Sequence, residues 1–94
     1  MRFEWDDKKN DANRRKHGVS FEEAESAFVD ENAIVYDAPD HSIDEQHFVL
    51  LGLSVLLRIL VVVHCLRDSE ETVRIISARK ATKTERVEYP GGVQ

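Results

Sequence analysis

The sequence predicts an α+β domain in which helices pack on a mostly antiparallel sheet of four to five strands, in the order β-α-α-β-β-β-β-α. Three observations carry that prediction. Two helix patterns with recognisable caps occupy the first third of the chain. Three apolar runs follow, 47 HFVLLGL 53, 58 RILVVVHCL 66 and 72 TVRIISA 78, joined by segments too short for crossovers. A cationic segment with helical spacing then closes the chain.

Phe3 and Trp5 alternate with Arg2 and Glu4, the pattern of a short first strand. Asp6 supplies an N-cap for a helix over residues 7–17, and Arg14, Arg15, Lys16 and His17 end it where positive charge suits the dipole. Gly18 is the natural residue after that end. Because this helix has little apolar surface beyond Ala12, Trp5 and the amide of Asn13 are expected to hold it. Ser20 and Glu23 then predict a capping box, with Val19 and Ala24 as its hydrophobic staple. Phe21, Ala24, Ala27 and Phe28 recur at helical spacing, which puts them in the core and Glu22, Glu23 and Glu25 outside. Asp30, Glu31 and Asn32 end this second helix.

Residues 33–36 read as a strand, and DAPDHSIDEQ as a polar loop. Near-continuous apolarity in the middle run predicts a central strand covered on both faces. Ser77 is read as the cap of a final helix over 78–89, with 90 PGGVQ 94 as a flexible tail. No repeat or linker interrupts the chain, so residues 1–94 are expected to form one domain.

With 33% charged and 41% hydrophobic residues, the composition is that of a soluble globular protein. The single cysteine, Cys65, forms no intramolecular disulfide and fits a reducing cytoplasm. The longest apolar stretch is broken by Arg58 and His64, so no membrane role is implied. The net charge of −5 hides a segregation: residues 18–57 carry nine acids and no Lys or Arg, whereas 1–17 and 58–94 each carry an excess of two cations. Overall acidity argues against a nonspecific nucleic-acid coat. A local cationic site built from the two ends stays open.

That site centres on 74 RIISARKATKTER 86. If Ser77 caps a helix, Arg79 and Lys80 fall in its first turn, where the free N–H groups and the dipole favour an anion rather than cations. Arg79, Lys83 and Arg86 would share a face. Spacing alone leaves open an anion site or a plain solvated face. His64 and Arg58 share strand parity; a hairpin symmetric about residue 69 would set His64 across from Arg74, with Arg67 at the turn. His64 is read either as part of that cluster or as a satisfied histidine near a strand end, and Arg74 either as a site cation or as a partner of Glu45, Glu70 or Glu71. The four histidines have no metal-ligand spacing, and the common nucleotide-binding and serine-hydrolase motifs are missing from the sequence. Asp40, Asp44 and Glu45 lack the EF-hand pattern and read as a solvated loop.

The segments FEWD and KHGVSFEEA, with Phe3, Trp5, Asn13, Lys16, His17, Gly18 and Phe21, then DHSIDE, LVVVHCLR and RIISARKATKTER, resemble the BrnT family of toxins over nearly the whole chain. The resemblance implies a small cytoplasmic ribonuclease of a type II toxin-antitoxin pair, related in fold to the RelE toxins, which cleaves RNA and inhibits translation. It also implies a BrnA-type antitoxin that binds operator DNA through a ribbon-helix-helix dimer. One departure is His47, where the family usually has arginine. The implied chemistry is metal-independent attack by the RNA 2′-OH, with no cofactor. Arg67, Arg79 and Lys80 are then expected to hold the phosphate, His64 or Glu45 to transfer protons, and Arg74 to orient the acid or the phosphate. Lys83, Arg86, Arg58, Lys16 and His17 complete the expected RNA path. The acidic middle reads either as a surface that attracts a basic antitoxin segment or as a solubility device. A noncatalytic module that binds a ribbon-helix-helix partner is the alternative function; an autonomous DNA-binding regulator is a third, and it lacks a visible helix-turn-helix pattern.

Overall fold

The computed structural model describes residues 1–39 and 45–91. Its elements are β1 (Arg2–Glu4), α1 (Asp7–His17), α2 (Phe21–Ser26) with a 3-10 turn (Ala27–Val29), β2 (Ile34–Asp37), β3 (Phe48–Leu53), β4 (Ile59–Arg67), β5 (Thr72–Lys80) and α3 (Lys83–Glu88). They form the expected α+β domain around a five-stranded mixed sheet of order β1-β5-β4-β3-β2. Strands β2 to β5 are antiparallel neighbours, and β1 adds to β5 in parallel.

Asp6 caps α1 by accepting from the Lys8 and Lys9 amides, and Gly18 ends it at φ 69, a left-handed conformation that glycine adopts without strain. Polar side chains dock this helix. Asn13 Nδ2 donates to the Val19 and Ala78 carbonyls at 2.8 and 2.7 Å, while its Oδ1 accepts from Ala78 N at 3.1 Å. The amide thus continues the hydrogen-bond ladder of β5 beyond the last residue of β1, where an edge would otherwise be bare. Asn10 accepts from the Phe21 amide at 2.8 Å and ties α1 to α2.

One core, on the helix side of the sheet, joins Val19, Phe21, Ala24 and Ala27 to Leu50, Leu60, Val62, Val73, Ile75 and Ala78. Gly52 belongs to this side for lack of room: a Cβ there would lie 3.0 Å from the Ala27 carbonyl oxygen and 2.9 Å from Leu50 Cδ2. A second, smaller core on the opposite face groups Val49, Leu51, Ile59, Val61 and Ala81 with Tyr89. Tyr89 donates to Asp30 Oδ2 at 2.6 Å; burial and that carboxylate push the phenol up to about 12. It pins the end of α3 over one end of this face.

Four expectations are corrected. Glu23 is not an outer residue: it is 6% exposed, and its carboxylate turns from the N-cap to Arg58 and to Ser54 Oγ, the latter at 2.7 Å. Only the Ser20 half of the capping box forms, through Glu23 N to Ser20 Oγ at 3.0 Å. The final helix does not begin after Ser77. Strand β5 runs on to Lys80 because β4 is long enough to pair Val61 with Arg79 and Leu60 with Lys80, and α3 starts from a full capping box of Thr82 and Glu85. His64 does not oppose Arg74, since the β4–β5 turn centres half a residue later and pairs His64 with Ile75 and Cys65 with Arg74. The acidic-loop residues Asp40 and Asp44, and most of the expected tail, lie outside the described residues.

Candidate active site

The half-residue shift in the last hairpin decides which β5 side chains share a face with His64. In an antiparallel pair, opposite residues share a face, so a slip of one residue sends a side chain to the other side. His64 pairs with Ile75 and enters the helix-side core, where it is 3% exposed. Its ring lies 4.9 Å from Phe28 and 5.9 Å from Phe48, and Nδ1 is 3.2 Å from the Val62 carbonyl oxygen. Burial lowers its pKa, which favours the neutral ring. His64 is therefore a satisfied core histidine, out of reach of a bulky substrate.

The opposite face is open over its middle. Val49, Val61, Val63 and Ile76 floor a trough of about 510 Å³, and Tyr36, His47, Arg79 and Glu85 stand among its other lining residues. At the His47 end lies Glu45. Its carboxylate is 2.9 Å from Arg67 Nη2 and 3.8 Å from His47 Nε2, with both Glu45 and Arg67 partly exposed. The Cys65 thiol is buried beside this pair, and burial pushes it up, so it is a poor nucleophile.

At the other end, Arg79 is held by Glu85 in a bidentate pair of 2.7 and 2.9 Å. The same carboxylate accepts from Thr82 N at 2.8 Å, and the Arg79 guanidinium is the main reason that Glu85 is pulled down to about 2. Arg67 and Arg79 do not converge. They stand opposite Thr72 and Val61, six strand residues apart, which is about 20 Å of extended chain.

The remaining expected residues scatter. Arg74 donates to Glu4 Oε2 at 2.8 Å, on a partner supplied by β1 rather than by Glu45, Glu70 or Glu71. Arg58 spends its donors on Glu23 and on the Gly18 carbonyl at 3.0 Å. Lys80, Lys83 and Arg86 are exposed around the start of α3; Lys80 points to the side opposite Arg79, and the three make no single helical stripe with it. Lys16 and His17 end α1, away from the trough lining. Among the described residues no three His, Cys, Asp or Glu side chains gather to hold a metal ion. Tyr36 and Glu85 went unrecognised as part of this face. A signal for Glu85 exists in the sequence, as the T-x-x-E spacing of Thr82 and Glu85 is a capping box; Tyr36 has none beyond its aromatic character in an edge strand.

Residues 5–85 match the family model described as "Ribonuclease toxin, BrnT, of type II toxin-antitoxin system". The crystal structure of the Brucella abortus ribonuclease toxin BrnT is similar, with a TM-score of 0.66 and 26% identity over 88% of this chain and 99% of that one. This is thus a toxin-type ribonuclease domain, and the chain belongs to the BrnT family. No curated protein matches it. Family membership also implies an antitoxin partner.

Proposed function

We propose that the chain is an endoribonuclease that binds RNA across the open sheet face and cleaves it by 2′-OH attack without a metal. The observation that carries this reading is the Glu45 carboxylate set between Arg67 and His47 at one end of the trough. Glu45 takes the 2′-OH proton; the 2′-oxygen bonds to the adjacent phosphorus while the bond from phosphorus to the 5′-oxygen breaks. Arg67 stabilises the charge that builds on the phosphate oxygens, and His47 gives a proton to the leaving 5′-oxygen. Proton transfer thereby passes from His64, which is buried, to Glu45 and His47. Arg79 holds a flanking phosphate rather than the scissile one and Lys83 extends that path, whereas Lys80 and Arg86 line the depression beside Leu57, off that path. Arg74 acts from beside the site, through Glu4.

The biological part of the reading is that cleavage inhibits translation in the cytoplasm, and that a BrnA-type antitoxin of ribbon-helix-helix fold neutralises the toxin and carries operator binding. Kinship of the fold with the RelE toxins belongs to the same reading. No helix among the described residues is long and apolar enough to cross a membrane. The test is cleavage of a defined RNA in excess chelator, with analysis of the new ends. The expected products carry a 2′,3′-cyclic phosphate and a 5′-hydroxyl, at an unchanged rate. Loss of cleavage on chelation, or ends with a 5′-phosphate, would contradict the mechanism, and intact RNA would favour a noncatalytic module.

A further inference from the structure

The hairpin between β3 and β4 exposes three consecutive aliphatic side chains, Val55, Leu56 and Leu57, at 71%, 62% and 79%. Its turn is closed by Leu57 N to Ser54 O at 2.9 Å and Ser54 N to Arg58 O at 2.8 Å. That closure holds Leu57 at φ 62, a left-handed conformation in which glycine or asparagine is comfortable and a bulky side chain is strained. Solvation and backbone geometry therefore both disfavour leucine in a loop that only joins two strands. An apolar run of this kind at a tip is a contact surface in search of a cover.

The surroundings say which cover fits. Arg14, Arg15 and Arg58 line a depression of about 520 Å³ together with Leu56, and Arg58, Lys80 and Arg86 line one of about 180 Å³ with Leu57. Five cations thus flank the tip against two carboxylates, Asp11 and Glu23, in a chain whose net charge is −5. Glu23 is engaged by Arg58 and Asp11 lies 3.9 Å from Arg14, which leaves Arg15, Lys80 and Arg86 as the excess. We infer that the tip seats an acidic, amphipathic segment of the antitoxin, whose aliphatic side chains cover residues 55–57 and whose carboxylates meet the flanking cations. RNA would answer the cations and leave three aliphatic side chains in water. A second copy docked symmetrically through the same tip would bring one cationic rim against another. An acidic, amphipathic protein segment satisfies both halves of the surface. The inference rests on family membership and on the hairpin, and is independent of where RNA is cut.

The experiment measures the affinity of the purified cognate antitoxin for the wild-type chain and for two double variants, Leu56→Ser with Leu57→Gly, and Arg14→Glu with Arg15→Glu. Thermal melting checks the fold; glycine at 57 relieves the left-handed leucine, so the first variant should be no less stable. Each double variant is expected to weaken antitoxin binding about tenfold or more, the size of an ordinary hot-spot loss, while RNA cleavage is retained. The arginine variant should also flatten the salt dependence of binding. Unchanged antitoxin affinity in both variants would overturn the inference. So would loss of RNA binding in place of antitoxin binding, or sedimentation in which the tip variant turns a dimer of the free chain into monomers.

Discussion

Replacing Arg58 by alanine is expected to destabilise the domain by about 3–5 kcal/mol, the range for removing one partner of a buried ion pair. Glu23 would remain as a carboxylate 5% exposed at its side chain, with Ser54 as its remaining hydrogen-bond donor. For a domain whose whole stability is about 5–15 kcal/mol, that loss brings the native state close to its limit. A double variant, Arg58→Met with Glu23→Leu, should recover most of it, because replacing both partners leaves no buried charge behind.

The pH dependence of this pair has a defined sign. Hydrogen bonding from Arg58 is the main reason that the Glu23 pKa is lowered in the folded chain. A depressed carboxyl contributes stability that is present above its unfolded pKa, about 4.3, and is lost as pH falls through the folded value. In the Arg58→Ala variant the bare carboxylate is penalised by burial and is readily protonated. The difference in unfolding free energy between wild type and variant should therefore be largest near neutrality and shrink below about pH 4 in urea titrations. A constant difference would mean that Arg58 acts by packing alone.

Glu45→Gln is expected to lower the single-turnover rate of RNA cleavage by about 10²–10⁴, the usual contribution of a positioned general base. Arg67→Ala should cost about 10²–10³, as for removal of one donor to a developing oxyanion. Neither should change the unfolding free energy by more than about 1 kcal/mol, because the pair is partly exposed and such pairs contribute little to folding. The contrast with Arg58 separates a chemical role from a structural one. The sequence places Arg67 at the phosphate and Arg58 on the RNA path, yet Arg58 holds the helices to the hairpin and Arg67 sits beside a carboxylate at an open face. Wild-type cleavage by Glu45→Gln would remove the base from the mechanism.

Much of the architecture was legible because local chemistry and tertiary structure agree. Asp6 and Gly18 bracket α1 as their cap preferences dictate, and Asn13 docks it as its lack of apolar surface requires. The short connections gave the antiparallel run β2 to β5. Where local signals competed, long-range pairing won: Ser77 and the cations after it suit a helix start, but β4 offers partners as far as Lys80. The parallel addition of β1 to β5 has no local signature at all. Site reading was more fragile, since it depended on faces. Asp68, Ser69 and Glu70 all turn with positive φ, and a register irregularity separates Val63 from His64. Neither is visible in composition or spacing, and together they turn Arg74 to the Cys65 face, away from His64, which follows Leu60 and Val62 into the core by plain alternation along β4.

In the proposed mechanism RNA lies on the open sheet face between Glu45 and Arg79. Its most direct test is a titration of the nitrogen-labelled chain with a single-stranded RNA whose riboses are 2′-O-methylated, so that it binds without being cut. The amide resonances of His47, Val49, Val61, Val63, Ile76 and Arg79 are expected to shift together and saturate together. Shifts confined to Lys16, His17 and the hairpin around Arg58, with the trough unmoved, would show that RNA binds elsewhere.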